Sequence, residues 1–492
     1  MYKRSSGILM HISSLPSKHG IGDFGPEAYR FVDFLHDSGQ KFWQILPIGP
    51  TSYGDSPYQS LSTFAGNPFF IDLKALRKSG LLRKKDFKKR DFGQKATAID
   101  YKKVQKEKLQ LLRLAFAKID PKQSKKIKAF AKANQSWLID YTLFMALKQH
   151  FDQKSWQEWP VKLKNRQTKS IKKAYKEHAD EIKFWQFVQF HFFQQWNQLK
   201  AYANKNNVEI IGDIPIYVAE DSADVWANPQ LFLLDKTKQP TYVSGCPPDA
   251  FSEEGQLWGN PIYNWKLMEK QGFKWWINRI KASFELFDVV RIDHFRGFEA
   301  YWSIPGNAET AATGEWIKGP EMKLFSAIKK ELGELRIIAE DLGFLTQEVV
   351  DFKNATGYPG MKILEFAFDS KEESTYLPHT YETNCFAYTG THDNDTVLGW
   401  FKSTPKSDIK KAIDYLQLTP GEGYHWGFIR GIWSSVAVVA IAQMQDFLGL
   451  GNKSRMNTPS TIGYNWVWRM KPNQLTKKLT KRTKKITKLY GR

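Results

Sequence analysis

Only 2 cysteines occur in 492 residues, Cys246 and Cys385. That scarcity excludes a disulfide framework and a cysteine-rich zinc site, and it fits a reducing compartment. Long apolar runs are missing as well: the longest uninterrupted aliphatic stretch, residues 436–442, is far too short to span a bilayer. Near the start, Lys3 and Arg4 precede only Ile8, Leu9 and Met10 before polar residues resume, too little for an export signal. The expectation is a soluble cytoplasmic protein. Metal-ligand spacings and glycine-rich cofactor loops are also lacking. Hydrophobic residues at 42% and charged residues at 25% match ordinary globular usage, so the chain has the means to bury a large core. Its length fits either about three domains or one α/β barrel with insertions.

Acidic residues are scarce in two places. The net charge of +21 comes from residues 81–130, with 17 Lys/Arg against 5 Asp/Glu, and residues 469–492, with 10 against none. The rest is nearly neutral, which argues against a nucleic-acid-binding body. Leu475, Leu479, Ile486 and Leu489 keep helical spacing among the lysines. They predict a basic terminal helix over 471–492 with one docked face. RNA or another anionic surface is the alternative partner for that helix.

A helix is predicted from Pro26 to near Gly39, with Ala28, Phe31, Val32 and Leu35 on one face. Short strands are predicted at 42–48 and at 69–73. Residues 74–205 read as a Lys-rich helical insertion, in which Trp185, Val188, Phe192, Trp196 and Leu199 step by three or four. From 208 onward, four short apolar runs each end in an acid: Asp213, Asp293, Glu340 and Asp393. Continuous apolar strands separated by helices imply a parallel sheet buried on both faces, with functional groups at the strand C-termini. Each acid alone could simply cap the next helix. Four of them together indicate a carboxylate site.

Paired carboxylates point to glycosidic chemistry. Arg291 precedes Asp293 by two residues, so on a strand both project to one face, and the guanidinium is expected to keep Asp293 ionised. Glu340 has Ile338 as its same-face neighbour, an environment suited to a protonated general acid. Asp393, beside His392 and Asn394, suits gripping vicinal hydroxyls. Aromatic residues make up 15% of the chain. Tyr53, Tyr58, Trp258, Trp466 and Trp468 lie in Gly/Pro/Asn-rich stretches, a pattern that suits stacking against sugar faces.

The stretches at 54–59 (GDSPYQ), 212–219 (GDIPIYVA), 247–249 (PPD), 258–261 (WGNP), 291–297 (RIDHFRG), 339–343 (AEDLG) and 391–396 (THDNDT) carry a resemblance. Across nearly its whole length the chain resembles 4-α-glucanotransferases of the amylomaltase (disproportionating enzyme) type in the α-amylase superfamily. The resemblance implies one (β/α)8 TIM barrel spanning 1–492, with inserted helical subdomains and no C-terminal β-domain. It implies a retaining transferase acting on maltooligosaccharides and glucose, with no metal and no cofactor. It matches Asp293 to the nucleophile, Glu340 to the general acid/base and Asp393 to the third carboxylate. It further implies sugar contacts from Tyr58, Asp213, Arg291, His294 and His392, with Asp249 and Trp258 on the acceptor side. An α-1,4-glucan hydrolase is the alternative activity. No nucleic-acid or membrane partner is expected, and a monomer fits. Cys246, in the loop before Asp249, departs from the small aliphatic residue usual in the family.

Overall fold

The computed structural model describes residues 2–248, 253–343, 345–371 and 373–492. Twelve strands organise it: β1 (Ser5–Leu9), β2 (Phe42–Gln44), β3 (Glu209–Pro215), β4 (Tyr242–Cys246), β5 (Gln256–Pro261), β6 (Val289–Asp293), β7 (Ala300–Pro305), β8 (Glu315–Lys318), β9 (Ile337–Ala339), β10 (Gly360–Ile363), β11 (Cys385–Tyr388) and β12 (Val439–Gln443). Eight of them pair in the order β10, β11, β12, β1, β2, β3, β6, β9, every pair parallel. The Ala339 amide donates to the carbonyl of Pro359, just before β10, at 3.0 Å. That bond brings the two outer strands together and makes the sheet a nearly closed barrel.

The strand sequences explain the closure. Runs such as Val289-Val290 and Ile337-Ile338 are buried completely or nearly so, as strands covered by helices outside and packed side chains inside must be. Each such residue contributes about 1.5–3 kcal/mol by leaving water. At Gly212 a side chain is excluded because a Cβ would lie 2.1 Å from the Phe287 ring. The other four strands form a separate antiparallel sheet in the order β5, β4, β7, β8. It hangs between β3 and β9 in the chain and carries Trp258.

The run at 69–73 is not a strand. Asn67 Oδ1 accepts the Phe69 amide at 2.9 Å, Pro68 starts a 3-10 turn over Pro68–Phe70, and Asp72 caps the helix Leu73–Lys78 through the amides of Lys74 and Ala75. Two caps on so short a run bend it into turns before it can extend. Between β2 and β3 the chain from 73 to 205 is a series of helices joined by turns and loops, ending in the 27-residue helix Ala179–Lys205, whose Trp185, Val188, Phe192, Trp196 and Leu199 are buried as expected. Lys108 of helix Tyr101–Phe116 is fully buried and donates to the carbonyls of Phe69 at 2.5 Å and Ile71 at 3.1 Å. That contact joins the Lys-rich segment to the chain beside the barrel.

The basic helix forms over Lys477–Leu489 with one docked face: Leu479 and Ile486, with Leu475 just before the helix, pack partly buried against the core, and only Leu489 falls outside it. Leu489 is 70% exposed, whereas Thr483 and Thr487 are buried. Thr487 Oγ1 accepts from Gln40 Nε2 at 2.9 Å and from Trp433 Nε1 at 3.2 Å, which holds Thr487 inward. Beyond it, the Arg492 guanidinium donates to the carbonyls of Ile432, Trp433, Ser435, Ala437 and Ser5. The segment is thus built into the barrel wall. No helix among the described residues is long and apolar enough to cross a membrane.

Candidate active site

The C-terminal ends of β3, β6 and β9 bring four charged groups together. Asp213 and Arg291 are register partners on neighbouring strands, as are Ile292 and Ala339. Asp293 and Glu340, one residue further along each strand, therefore stand side by side, and neighbouring strands are only about 4.8 Å apart. Arg291 is buried, and its Nη1 donates to both oxygens of Asp213 at 2.8 and 2.7 Å and to Asp293 Oδ1 at 3.1 Å. Glu340 Oε2 accepts the His294 amide at 2.6 Å, and its Oε1 accepts the Leu342 amide at 3.3 Å. His294 reaches this position with left-handed backbone angles, φ 52° and ψ 47°, a conformation uncommon for residues other than glycine.

The loop after β11 supplies the opposite wall. Asp393 Oδ1 accepts from Asn457 Nδ2 at 2.6 Å, its Oδ2 lies 3.4 Å from His392 Nε2, and its backbone carbonyl accepts from Arg455. The Tyr58 ring stacks on His392 at 5.1 Å and 16°, with its hydroxyl donating to Asp213 Oδ2 at 2.8 Å. Trp466 lies 5.8 Å from both rings. The structure thereby links Tyr58, Asp213, Arg291, Asp293, His392 and Asp393 through direct contacts. Arg455 and Asn457 were not found by sequence reasoning, because they belong to a loop more than 60 positions from Asp393 with no local pattern.

On the remaining side, Trp258 of β5 meets His294 edge to face at 4.7 Å and donates through Nε1 to Gln256 Oε1 at 3.1 Å. His294 Nε2 is buried without a hydrogen-bond partner among the described residues. Asp249 lies outside the described residues. Of the loop aromatics, Tyr58, Trp258 and Trp466 gather at the site, while buried Trp468 belongs to the core.

Four carboxyl groups here share one arginine, which decides the electrostatics. Burial raises Asp293 well above the ordinary carboxylate range; Arg291 pulls it down, while Asp213, Glu340 and Asp393 add to the rise. The expectation that Arg291 simply keeps Asp293 ionised is corrected accordingly, since the same Nη1 is engaged by both oxygens of Asp213. Burial also raises Glu340, against Arg291 and the His294 amide. The two facing carboxyls thus bind protons as a unit. Burial lowers His294 to about 3, so its ring is neutral near pH 7. His392 is also lowered by burial.

The family model for glycoside hydrolase family 77, 4-alpha-glucanotransferase, matches residues 10–476. The chain is 56% identical to a 4-alpha-glucanotransferase of Clostridium butyricum over 98% of this chain and 100% of that protein. Identity to the 4-alpha-glucanotransferase of Streptococcus pneumoniae serotype 4 is 51%, over 100% of this chain and 98% of that one. The solved amylomaltase from Streptococcus agalactiae in complex with acarbose superposes with a TM-score of 0.97 at 43% identity, covering 100% of both chains. These relatives carry transferase names, so the hydrolase alternative is not favoured. With matching across its length and a barrel whose strand ends assemble the expected carboxylates, this chain belongs to the 4-alpha-glucanotransferases of glycoside hydrolase family 77, the amylomaltases.

Proposed function

We propose that the chain moves α-1,4-glucan segments between maltooligosaccharides, or onto glucose, by double displacement, with Asp293 as nucleophile and Glu340 as general acid/base. The observation that carries this reading is the placement of the two carboxyls at matched ends of β6 and β9, with Glu340 Oε2 held by the His294 amide at 2.6 Å. Carboxyls at adjacent strand ends suit a retaining pair, which needs about 5–5.5 Å, rather than an inverting one.

In the first half-reaction an Asp293 oxygen attacks the anomeric carbon as the glycosidic bond breaks. Glu340 gives its proton to the departing sugar oxygen, leaving a glycosyl ester on Asp293. The reactive form of the coupled pair carries its proton on Glu340, the partner without a direct arginine contact. In the second half-reaction ionised Glu340 takes the proton of an acceptor sugar hydroxyl, whose oxygen attacks the same carbon and breaks the ester. Two inversions leave the α configuration unchanged. Asp393, steadied by Asn457, grips vicinal hydroxyls and favours the distorted ring. Tyr58, Asp213, Arg291, His294 and His392 contact the sugar at the cleavage point, and His294 Nε2 is available to a sugar hydroxyl. Trp258 and Asp249 take the acceptor, with stacking on Trp258 favouring a sugar over water. The acarbose complex of the Streptococcus agalactiae amylomaltase supports an oligosaccharide in this cleft.

Incubation with maltotriose tests the reading. Glucose and longer glucans should appear while total reducing ends stay nearly constant, because each broken bond is replaced. Trp258→Ala should raise the hydrolysis share. Reducing ends that climb in step with glucose in the unmodified protein would overturn the transfer mechanism.

A further inference from the structure

A single carboxylate fixes both ends of the loop that carries His392 and Asp393. Asp446 lies in the short helix Met444–Phe447 that follows β12, and it is 1% exposed. Its Oδ2 accepts the Thr389 hydroxyl at 2.7 Å and its Oδ1 accepts the Val397 amide at 2.8 Å. Thr389 is the first residue after β11, and Val397 opens the helix Val397–Ser403. Other contacts act at single points. Thr389 O accepts the Glu365 amide at 3.2 Å, Asp395 O accepts from Gln443 Nε2 at 3.0 Å, and Asn394 Oδ1 closes the turn by accepting from Thr391.

The charges around the pin suit a neutral side chain. Glu365 and Asp395 act on or with Asp446, while Arg455 offsets both of those acids and Lys402 offsets Asp395. Burial, with Asp395 adding to it, raises Asp446 to about 7. The Val397 amide requires an acceptor, whereas the Thr389 hydroxyl can turn and accept. A carboxylic acid or a carboxamide satisfies both at once.

We propose that Asp446 is a positioning residue for glucan transfer, acting through the 389–397 loop to hold Asp393 against the sugar. The inference rests on the role assigned above to Asp393.

The test measures kcat per active site, with sites counted as the folded fraction from circular dichroism, in the presence and absence of Asp393→Asn. Asp446→Leu should lower kcat about tenfold or more with KM changed less than about twofold, and Asp446→Asn should restore it to within about threefold. Thr389→Val, which loses one bond, should cost about threefold. In the Asp393→Asn background each change should cost less than about twofold, because the lost contact has no catalytic group left to place. Losses that multiply in that background, or an unchanged kcat per site, overturn the proposal. If Asp446→Leu does not fold, Thr389→Val and Asp446→Asn decide by the same criteria. An Asp393→Asn enzyme that keeps full turnover overturns the role of Asp393 and this inference with it.

Discussion

Two buried ion clusters in this molecule each set carboxyls against a cation and do opposite things. In one, Asp23 Oδ2 lies 3.7 Å from Lys108 Nζ and 3.6 Å from His19 Nδ1, and Asp23 Oδ1 accepts the Gly25 amide at 3.1 Å. Lys108 is itself held by two backbone carbonyls. His19, Asp23 and Lys108 are all buried. In the other, one arginine serves Asp213 and Asp293 beside Glu340 and Asp393, and the Asp293 and Asp393 side chains stay 27% and 44% exposed. The first sets Lys108 against Asp23, with Asp72 beside it, in a buried site. The second has an excess of carboxyls and open faces, so its protons are mobile and a substrate can complete it.

The largest effects should come from the open cluster. Glu340→Gln should lower kcat on maltotriose by about 10²–10⁴ as a lost general acid/base, and Asp293→Asn should lose at least as much, with circular-dichroism melting curves unchanged for both. Lys108→Met in the closed cluster should invert that pattern. Leaving Asp23 buried without its cation costs about 3–5 kcal/mol in denaturant unfolding, while the turnover of the folded fraction stays the same. An Lys108→Met enzyme as stable as the parent would erase the distinction between the clusters.

Acidity sharpens it further. Transfer should show a bell-shaped pH profile, lost at high pH as Glu340 gives up the proton it needs and at low pH as Asp293 takes one. Stability should follow different groups. Asp446 and Asp224, raised by burial to about 7 and about 6, contribute stability that is complete below the unfolded aspartate value of about 3.9 and lost as pH rises through about 6 to 7. Asp23, held low by Lys108 and His19 against the desolvation of burial, contributes stability present above about 3.9 and lost as pH falls. Melting temperatures measured from about pH 3 to 9 check both limbs, and Asp446→Asn should flatten only the upper one. The smallest effect belongs to the basic helix: Thr487→Val, which takes the acceptor from Trp433 Nε1 and one of two acceptors from Gln40 Nε2, should cost about 1–3 kcal/mol and leave kcat unchanged.

The strand ends were legible because a buried parallel strand writes itself as a β-branched run, and the acid that follows marks where the run meets solvent. Asp213, Asp293 and Glu340 could be found that way, and the loop motif around Asp393 added the fourth. The 69–73 segment was misread because its apolar residues say nothing of the caps at Asn67 and Asp72. Lys108 was hidden in a basic segment, although it sits between Val104 and Leu111 on the apolar helix face, and that periodicity marks it. Asn457, Arg455 and Asp446 left no local signal, since what they do depends on which strands lie next to each other. The docked face of the terminal helix was legible at Leu475, Leu479 and Ile486, which pack against the core, whereas exposed Leu489 and the bonds of Thr487 to Gln40 and Trp433 left no signal.

The most direct test of the central claim is where the sugar becomes attached. Glu340→Gln incubated with α-glucosyl fluoride, whose leaving group needs little protonation, should accumulate one glycosyl adduct that peptide mapping by mass spectrometry places on Asp293, and Asp293→Asn should accumulate none. An adduct on any other residue, or none in Glu340→Gln while turnover continues, would contradict the account.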